Sequence, residues 1–209
     1  MKTLLLVGAT GLVGQSVLQQ ALADARVAKL VAPTRRPLPS HPRLENPLVD
    51  FDALPADAPW WAVDGIVCTL GTTIKKAGSQ PAFRKVDHDY PLAVATLARR
   101  HGASAFALTS SLGADPRSRA FYLRTKGETE RALAGCGFPS LTIVRPSMIG
   151  GERAERRPLE SLALAFFGGI ARLLPRRYRI VPADRIARTL LEATLAAEPG
   201  VRLVESEAI

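Results

Sequence analysis

Apolar and polar residues alternate along this chain with two distinct periods. Residues 2–7 form an apolar run of the kind that a parallel strand buried on both faces requires, and residues 12–25 place apolar side chains at helical spacing. Similar runs predict strands at 29–32, 48–51, 65–70, 105–110 and 141–144, and helical spacing predicts helices at 83–100 and 120–134. A proline-rich loop is expected between the second and third strands.

This order, a strand followed by a helix, is typical of right-handed βαβ units. We therefore predict an α/β fold, a doubly wound parallel sheet with helices on both faces. Residues 1–209 are expected to form one domain, with the core in 1–145 and one or more final strands and a small substrate-side lobe in 146–209. The pattern there predicts a basic loop after Gly150, a Leu/Phe-rich helix to Leu174, a strand at 178–181 and a helix at 184–197.

A glycine-rich turn joins the first predicted strand to the first predicted helix. A bound pyrophosphate needs a tight turn, a close backbone and a helix N-terminus whose free amides face the anion. Gly8 supplies the turn, Gly11 the close approach and Gly14 the packing of helix on strand. The turn predicts dinucleotide binding by Gly8, Thr10, Gly11, Leu12, Val13 and Gly14.

The residues that follow the second predicted strand bear on which dinucleotide binds. An acidic residue there would accept hydrogen bonds from the ribose hydroxyls of NAD(H). This chain has Arg35 and Arg36 instead, with no carboxylate before Glu45, and guanidinium groups pair well with a 2′-phosphate. We predict NADP(H) in preference to NAD(H); the alternative is that both arginines are only surface charge.

Further cofactor contacts are expected where the next strands end. Asp50 follows the third predicted strand, and its carboxylate is placed to accept a hydrogen bond from the adenine amino group. Leu70, Gly71 and Thr72 follow the fourth, where ligands of doubly wound sheets lie in the crevice at the carboxyl ends of the strands.

Tyr122 and Lys126 are four residues apart on a predicted helix, so they share one face. A nearby ammonium favours the phenolate of a tyrosine, which can then exchange a proton with a substrate oxygen while a nicotinamide carries hydride. Ser110 and Ser111 end the fifth predicted strand, from which a hydroxyl can polarise the substrate oxygen. The alternative for the Tyr–Lys pair is an aromatic ring packed under an aliphatic Lys stem.

These motifs together resemble the short-chain dehydrogenase/reductase superfamily. More narrowly, several longer segments are similar to the atypical branch typified by the Tat-interacting protein: CTLGTTIKKAG (68–78), FRKVDHDYP (83–91), SSLGAD (110–115), FYLRTKGETE (121–130) and the closing VESEAI.

That resemblance implies a Rossmann-like fold, NADPH binding and a catalytic set of Ser111, Tyr122 and Lys126. It favours Ser111 over Ser110, and it places the segment 145–148, with Pro146 and Met148, against the nicotinamide. Asp87 stands where many relatives carry Asn, so a proton relay through that position is not implied. The branch has no shared substrate and includes proteins discussed as regulators.

Charge and composition exclude several other classes. The net charge is +9, but 22 of the 28 basic residues are Arg spread along the chain with few aromatic residues between them, which favours a solvated basic surface over nucleic-acid binding. The apolar stretch 161–174 is shorter than the roughly 20 residues of a membrane-spanning helix. Asp87, His88 and Asp89 point in different directions on a helix, so no metal site is predicted.

Two cysteines, Cys68 and Cys136, cannot build a disulfide framework, and a cytoplasmic location is expected. Residues 163–174 are typical of a lid, or of a contact with a second copy or a partner protein, unless they are buried in the core.

Two classes of function remain open. One is an NADP(H)-dependent oxidoreductase acting on an unidentified carbonyl or alcohol, or a related epimerase-like enzyme. The other is a regulatory protein that senses NADPH without turnover.

Overall fold

A computed structural model describes residues 1–150 and 175–209. Its strands are Lys2–Val7 (β1), Val27–Val31 (β2), Leu44–Glu45 (β3), Gly65–Cys68 (β4), Ala105–Thr109 (β5), Ser140–Arg145 (β6), Met148–Gly150 (β7), Ile180–Pro182 (β8) and Gly200–Glu205 (β9). Its α-helices are Leu12–Ala23 (α1), Ile74–Ala77 (α2), Gln80–Arg84 (α3), Tyr90–Arg100 (α4), Phe121–Ala134 (α5) and Ala183–Ala196 (α6).

Within the described ranges, seven strands form one sheet in the order β3-β2-β1-β4-β5-β6-β9, and every neighbouring pair is parallel. The chain order reverses between β1 and β4, so the crevice at the carboxyl ends of these two strands is the switch point of the sheet. The predicted α/β, Rossmann-like fold is confirmed.

The two faces of β1 explain its uninterrupted apolar run. Leu4 and Leu6 pack into a core that contains α1 and α6, whereas Leu5 and Val7 pack into a second core with α4 and α5. Because β1 is buried on both faces, alternation between polar and apolar residues is lost over residues 4–7, which are all apolar.

The third strand was predicted at 48–51, and this position is wrong. β3 occupies Leu44–Glu45, and Leu48 makes a single isolated bridge to Thr34. Pro47 has no N–H to donate to a sheet ladder. Asn46 instead donates a side-chain hydrogen bond to the carbonyl of Ala32 at 2.6 Å, which ends the regular pairing with β2.

The helix predicted at 83–100 is divided by a π-helical turn over Lys85–Asp89. Pro91 lacks the N–H that would bond to the carbonyl of Asp87 in a regular α-helix. Tyr90 N–H bonds to the carbonyl of Lys85, and the hydroxyl of Thr129 on α5 shares its proton between the carbonyls of Asp87, at 2.9 Å, and Thr125, at 2.8 Å. A tertiary contact therefore satisfies the group that proline leaves without a partner.

Beyond β6, a second, two-stranded parallel sheet pairs β7 with β8. The strand predicted at 178–181 begins at Ile180 because Arg176–Tyr178 form a 3-10 turn. The predicted basic loop and the Leu/Phe-rich helix, including the apolar residues 161–174, lie outside the described residues. In the described ranges, no helix has the length and apolar character needed to cross a bilayer.

A buried polar network ties α5 to β5, β6 and β9. Arg145 donates to Glu130 at 2.9 Å and to Glu205 at 3.0 Å, and the hydroxyl of Ser110 also donates to Glu130. Only 7% of the Glu130 side chain is exposed. A carboxylate at this depth needs all of these donors, because burying it alone would be costly.

We expect Glu130→Ala to lower the free energy of unfolding by about 3 kcal/mol, because it leaves the Arg145 guanidinium half-buried without its main partner. The control is Glu198→Ala, which removes an exposed ion pair with Arg202 and should hardly move the denaturation midpoint. Urea denaturation followed by circular dichroism measures both. Equal effects of the two substitutions would contradict the role assigned to the buried network.

Candidate active site

The glycine turn after β1 adopts a conformation that requires glycine at its first position. Gly8 has φ = +90°, and a Cβ there would lie 2.6 Å from Thr69 Oγ1, just beyond β4. Gly11 N–H closes the turn by donating to the carbonyl of Gly8 at 2.9 Å. The turn is thus held between β1 and β4, at the switch point.

Helix α1 begins against this turn. A Cβ at Gly14 would lie 2.0 Å from the carbonyl oxygen of Gly8, so the first turn of the helix and the end of β1 are in direct contact. Gly11 stands at the N-cap with no side-chain cap, and the first turn of α1 holds no acidic residue. The amides of Leu12, Val13 and Gly14 and the helix dipole are therefore suited to a diphosphate.

Arg35 and Arg36 lie on the exposed surface immediately after a buried segment at the end of β2. The hydroxyl of Thr34 donates to the carbonyl of Arg36 at 2.6 Å, and the Asn46 amide donates to the same hydroxyl at 2.8 Å. These bonds fix the backbone that presents both arginines. Asn46 is a supporting residue that no motif in the sequence indicated.

Asp50 is exposed, and its carboxylate accepts a hydrogen bond from the backbone N–H of Asp52 at 2.9 Å. The next residue, Phe51, packs against the ring of Tyr90, with 5.5 Å between ring centroids. Tyr90 donates its hydroxyl to Asp52 at 2.7 Å, and burial, with Asp52, raises the pKa of Tyr90 to about 12. Sequence reasoning missed this aromatic pair beside Asp50.

The loop after β4 meets a buried ion pair. Lys126 Nζ lies 2.7 Å from Asp87 Oδ1, and 7% of the Lys126 side chain and none of the Asp87 side chain is exposed. Thr72 N–H donates to Asp87 Oδ2 at 2.8 Å, and a Cβ at Gly71 would lie 3.7 Å from Lys126 Nζ. The structure thus brings three predicted site residues, Gly71, Thr72 and Lys126, to one place.

Tyr122 lies one turn before Lys126 on α5 and is 36% exposed. Its ring packs on Phe83, with 5.6 Å between centroids. Burial lowers the pKa of Lys126, but the negative charge of Asp87 and the nearby Tyr122 raise it by more, so the ammonium keeps a raised pKa. The pair therefore combines an accessible phenol with a buried positive charge.

Ser110 and Ser111 differ in their surroundings. The Ser110 hydroxyl is bound to Glu130 in the buried network, whereas the Ser111 hydroxyl makes one long contact, 3.4 Å, to the carbonyl of Leu112. Leu112 N–H donates to the carbonyl of Pro146 at 2.9 Å, which joins the segment after β5 to the segment after β6. Pro146 is buried, while Met148 is 62% exposed in β7.

Because the strands are parallel, the segments that follow β1, β2, β4, β5 and β6 meet along one edge of the sheet. Most of the predicted site residues lie on these segments or on α1 and α5 beside them, whereas Asp50 follows β3 and Met148 begins β7. Within residues 1–150 and 175–209, the His, Cys, Asp and Glu side chains form no group of three suited to a metal ion.

Comparisons with known proteins place this fold in a definite class. No family model matches the chain. Protein HTATIP2 of Rattus norvegicus is 34% identical over 214 residues, which cover 100% of this chain and 88% of that protein. Protein fmp52, mitochondrial, of Emericella nidulans is 33% identical over 183 residues, or 83% of this chain and 78% of that protein. The structure of MoeE5 in complex with UDP-glucose and NAD has a TM-score of 0.73 and 17% identity, and the match covers 96% of this chain and 74% of MoeE5.

The fold is that of the NAD-binding short-chain dehydrogenase/reductase and epimerase proteins. Within that class, the chain belongs to the HTATIP2 and FMP52 family, the Tat-interacting-protein-like branch of the atypical members. The resemblance inferred from the sequence motifs is confirmed.

The expected cytoplasmic location is wrong, because the fungal relatives from Emericella nidulans, Coccidioides immitis and Eremothecium gossypii are named mitochondrial proteins. The expectation depended on two unpaired cysteines. Free thiols distinguish reducing from oxidising compartments, and they do not distinguish one reducing compartment from another.

We expect Gly14→Ala to destabilise the fold by about 3 kcal/mol or more, because its methyl group cannot fit against the Gly8 carbonyl. Gly135→Ala is the control: that residue has a right-handed helical conformation, and its Cβ would lie 3.3 Å from the nearest atom outside its neighbours. Thermal and urea denaturation compare the two. A Gly14→Ala protein as stable as Gly135→Ala would refute the close contact.

Proposed function

We propose that this protein is an NADP(H)-dependent oxidoreductase that transfers hydride between the nicotinamide and a carbonyl or alcohol substrate. The observation that carries the proposal is the position of accessible Tyr122 one turn before the buried ammonium of Lys126, at the carboxyl edge that also holds the glycine turn. The family relationship and the NAD-bound structural neighbour support a nicotinamide cofactor.

The residues present fit such a cofactor. Its diphosphate would bind the backbone of Gly8, Thr10, Gly11, Leu12, Val13 and Gly14, where α1 begins without a side-chain cap or an acidic residue in its first turn. The remaining proposed contacts are Arg35 and Arg36 at the ribose phosphate, Asp50 at the adenine, and Leu70, Gly71, Thr72, Pro146 and Met148 along the crevice. When bound, the cofactor supplies or accepts hydride.

The protein side chains handle the proton and the substrate oxygen. Tyr122 acts as acid or base, because the positive charge of Lys126 stabilises a phenolate and the phenol is exposed enough to reach a substrate. Lys126 also binds the nicotinamide ribose. Ser111 polarises the substrate oxygen, since the Ser110 hydroxyl is already bound to Glu130.

The preference for NADP(H) follows from the charges beyond β2. Arg35 and Arg36 are exposed there, and Glu45, the next carboxylate in the chain, lies 2.5 Å from Lys29 in an ion pair. A guanidinium group binds a 2′-phosphate with charge-assisted hydrogen bonds, and it gains nothing comparable from a ribose hydroxyl.

We expect Tyr122→Phe to abolish hydride transfer while nucleotide affinity stays within about twofold, because the substitution removes a proton donor and leaves the ring packed on Phe83. NADPH oxidation against a panel of aldehydes and ketones, read at 340 nm, measures turnover, and calorimetry measures affinity. Wild-type protein that binds NADPH but reduces no compound, with partner binding that follows NADPH occupancy, would instead favour the NADPH-sensing function. Full activity of Tyr122→Phe would contradict the assigned role.

We expect the double substitution Arg35→Ala and Arg36→Ala to weaken NADPH binding by at least about tenfold and to leave NADH binding nearly unchanged, because only NADPH loses charge-assisted bonds. The matched control is Arg100→Ala with Arg202→Ala, which removes the same charge from two exposed positions. Calorimetric titration with both nucleotides measures the ratio of the affinity for NADPH to the affinity for NADH in each variant. Parallel weakening of NADPH and NADH would overturn the discrimination.

A further inference from the structure

Asp87 is a buried carboxylate that has no role in the reaction proposed above. Its side chain has no exposed surface, and each of its two oxygens faces a donor from a different element: Lys126 Nζ on α5 at 2.7 Å and the backbone N–H of Thr72 after β4 at 2.8 Å. Burying a carboxylate is costly without such partners. A carboxylate whose burial costs free energy therefore lies at the point where the loop after β4 meets α5.

The backbone conformation around Asp87 fixes the position of its side chain beside Lys126. Pro91 removes one helical hydrogen bond, the π-helical turn shifts the register of the helix, and Thr129 binds the freed carbonyl of Asp87 at 2.9 Å. Thr129 itself is buried, one turn beyond Lys126 on the same helix. Asp87 and Lys126 are thus fixed relative to each other through both the main chain and the side chains.

The charges around this pair leave Asp87 as the principal counter-ion of Lys126. Within residues 1–150 and 175–209, the other titratable groups that influence the ammonium are Tyr122 on α5 and Cys68 on β4. Burial raises the pKa of the Cys68 thiol to about 12, so it is neutral at physiological pH. Farther out, Arg84 is paired with Glu128, and His88 Nδ1 lies 2.7 Å from Asp89 Oδ1.

We propose that Asp87 is a positioning residue that holds the Lys126 ammonium beneath Tyr122 and keeps it protonated, so that Asp87 sets the upper pH limit of the reaction. This inference rests on the proposed function, since it assigns Lys126 the task of supporting the Tyr122 phenolate. Without a carboxylate beside it, a lysine buried to this degree loses its proton more easily, because burial disfavours the charged form.

The test is a direct titration of the lysine side chains by NMR of protein labelled with ¹³C at the lysine ε-carbon. The chain has six lysines, and the signal of Lys126 is assigned by its loss in Lys126→Arg. In the wild type, we expect Lys126 to titrate at or above the ordinary range of lysine. In Asp87→Asn, we expect its titration midpoint to fall by at least about one pH unit.

Asp52 and Lys85 provide a matched control in the same protein. They form a similar pair at 2.8 Å, but 48% of the Lys85 side chain and 46% of the Asp52 side chain is exposed. Because Asp52 is exposed and paired with a different lysine, Asp52→Asn should move the Lys126 midpoint by less than about half a pH unit. Asp87→Glu, which restores the carboxylate, should return the Lys126 midpoint toward its wild-type value.

Turnover provides a second readout. In Asp87→Asn, the alkaline limb of the pH–rate profile should move to lower pH along with the Lys126 midpoint, whereas a merely structural defect would lower the rate at every pH. The proposal is overturned if Lys126 titrates below the ordinary lysine range in the wild type, a result that does not depend on whether Asp87→Asn folds. It is also overturned if the folded Asp87→Asn protein keeps the wild-type midpoint. The NMR titration needs no substrate. Absence of turnover would therefore contradict the proposed function without affecting the test of Asp87.

Discussion

Helix α1 packs so tightly on the end of β1 that position 14 has no room for a side chain, since a Cβ would lie 2.0 Å from the Gly8 carbonyl. This contact directs the first free amides of the helix at the switch point between β1 and β4. The arginines after β2 and the loop after β4 gain their proposed roles from their position around that point. If the helix stood farther from the strand, the same residues would lie along an ordinary polar edge.

On the other side of the switch point, the proposed proton transfer depends on a buried positive charge that is stable only beside a counter-ion. Lys126 is buried, and its ammonium is compensated by Asp87, which in turn is held by Thr72 and by the irregular helix around Pro91. Three segments far apart in the sequence therefore meet at one ion pair. Tyr122 remains at the surface of this arrangement, where it is accessible to a substrate.

Hydrophobic periodicity was enough to predict the α/β fold class, because β1, β4, β5 and β6 each place buried apolar residues on both faces of the sheet. It misplaced β3, whose two residues are fixed by Asn46 and by the missing N–H of Pro47. It also could not show the π-helical turn or the contact of Asp87 with Lys126. The π-helical turn depends on Thr129 and the contact on Thr72, and both threonines approach Asp87 only after the chain has folded. In the sequence, Asp87 stood out only because many relatives carry Asn at that position.

Calorimetric titration of the purified wild-type protein with NADPH and with NADH tests whether the edge formed by the glycine turn and the two arginines binds a reduced pyridine nucleotide. We expect saturable binding of one nucleotide per chain, tighter for NADPH by at least about tenfold because of the additional phosphate contacts. The absence of saturable binding for both nucleotides would contradict it.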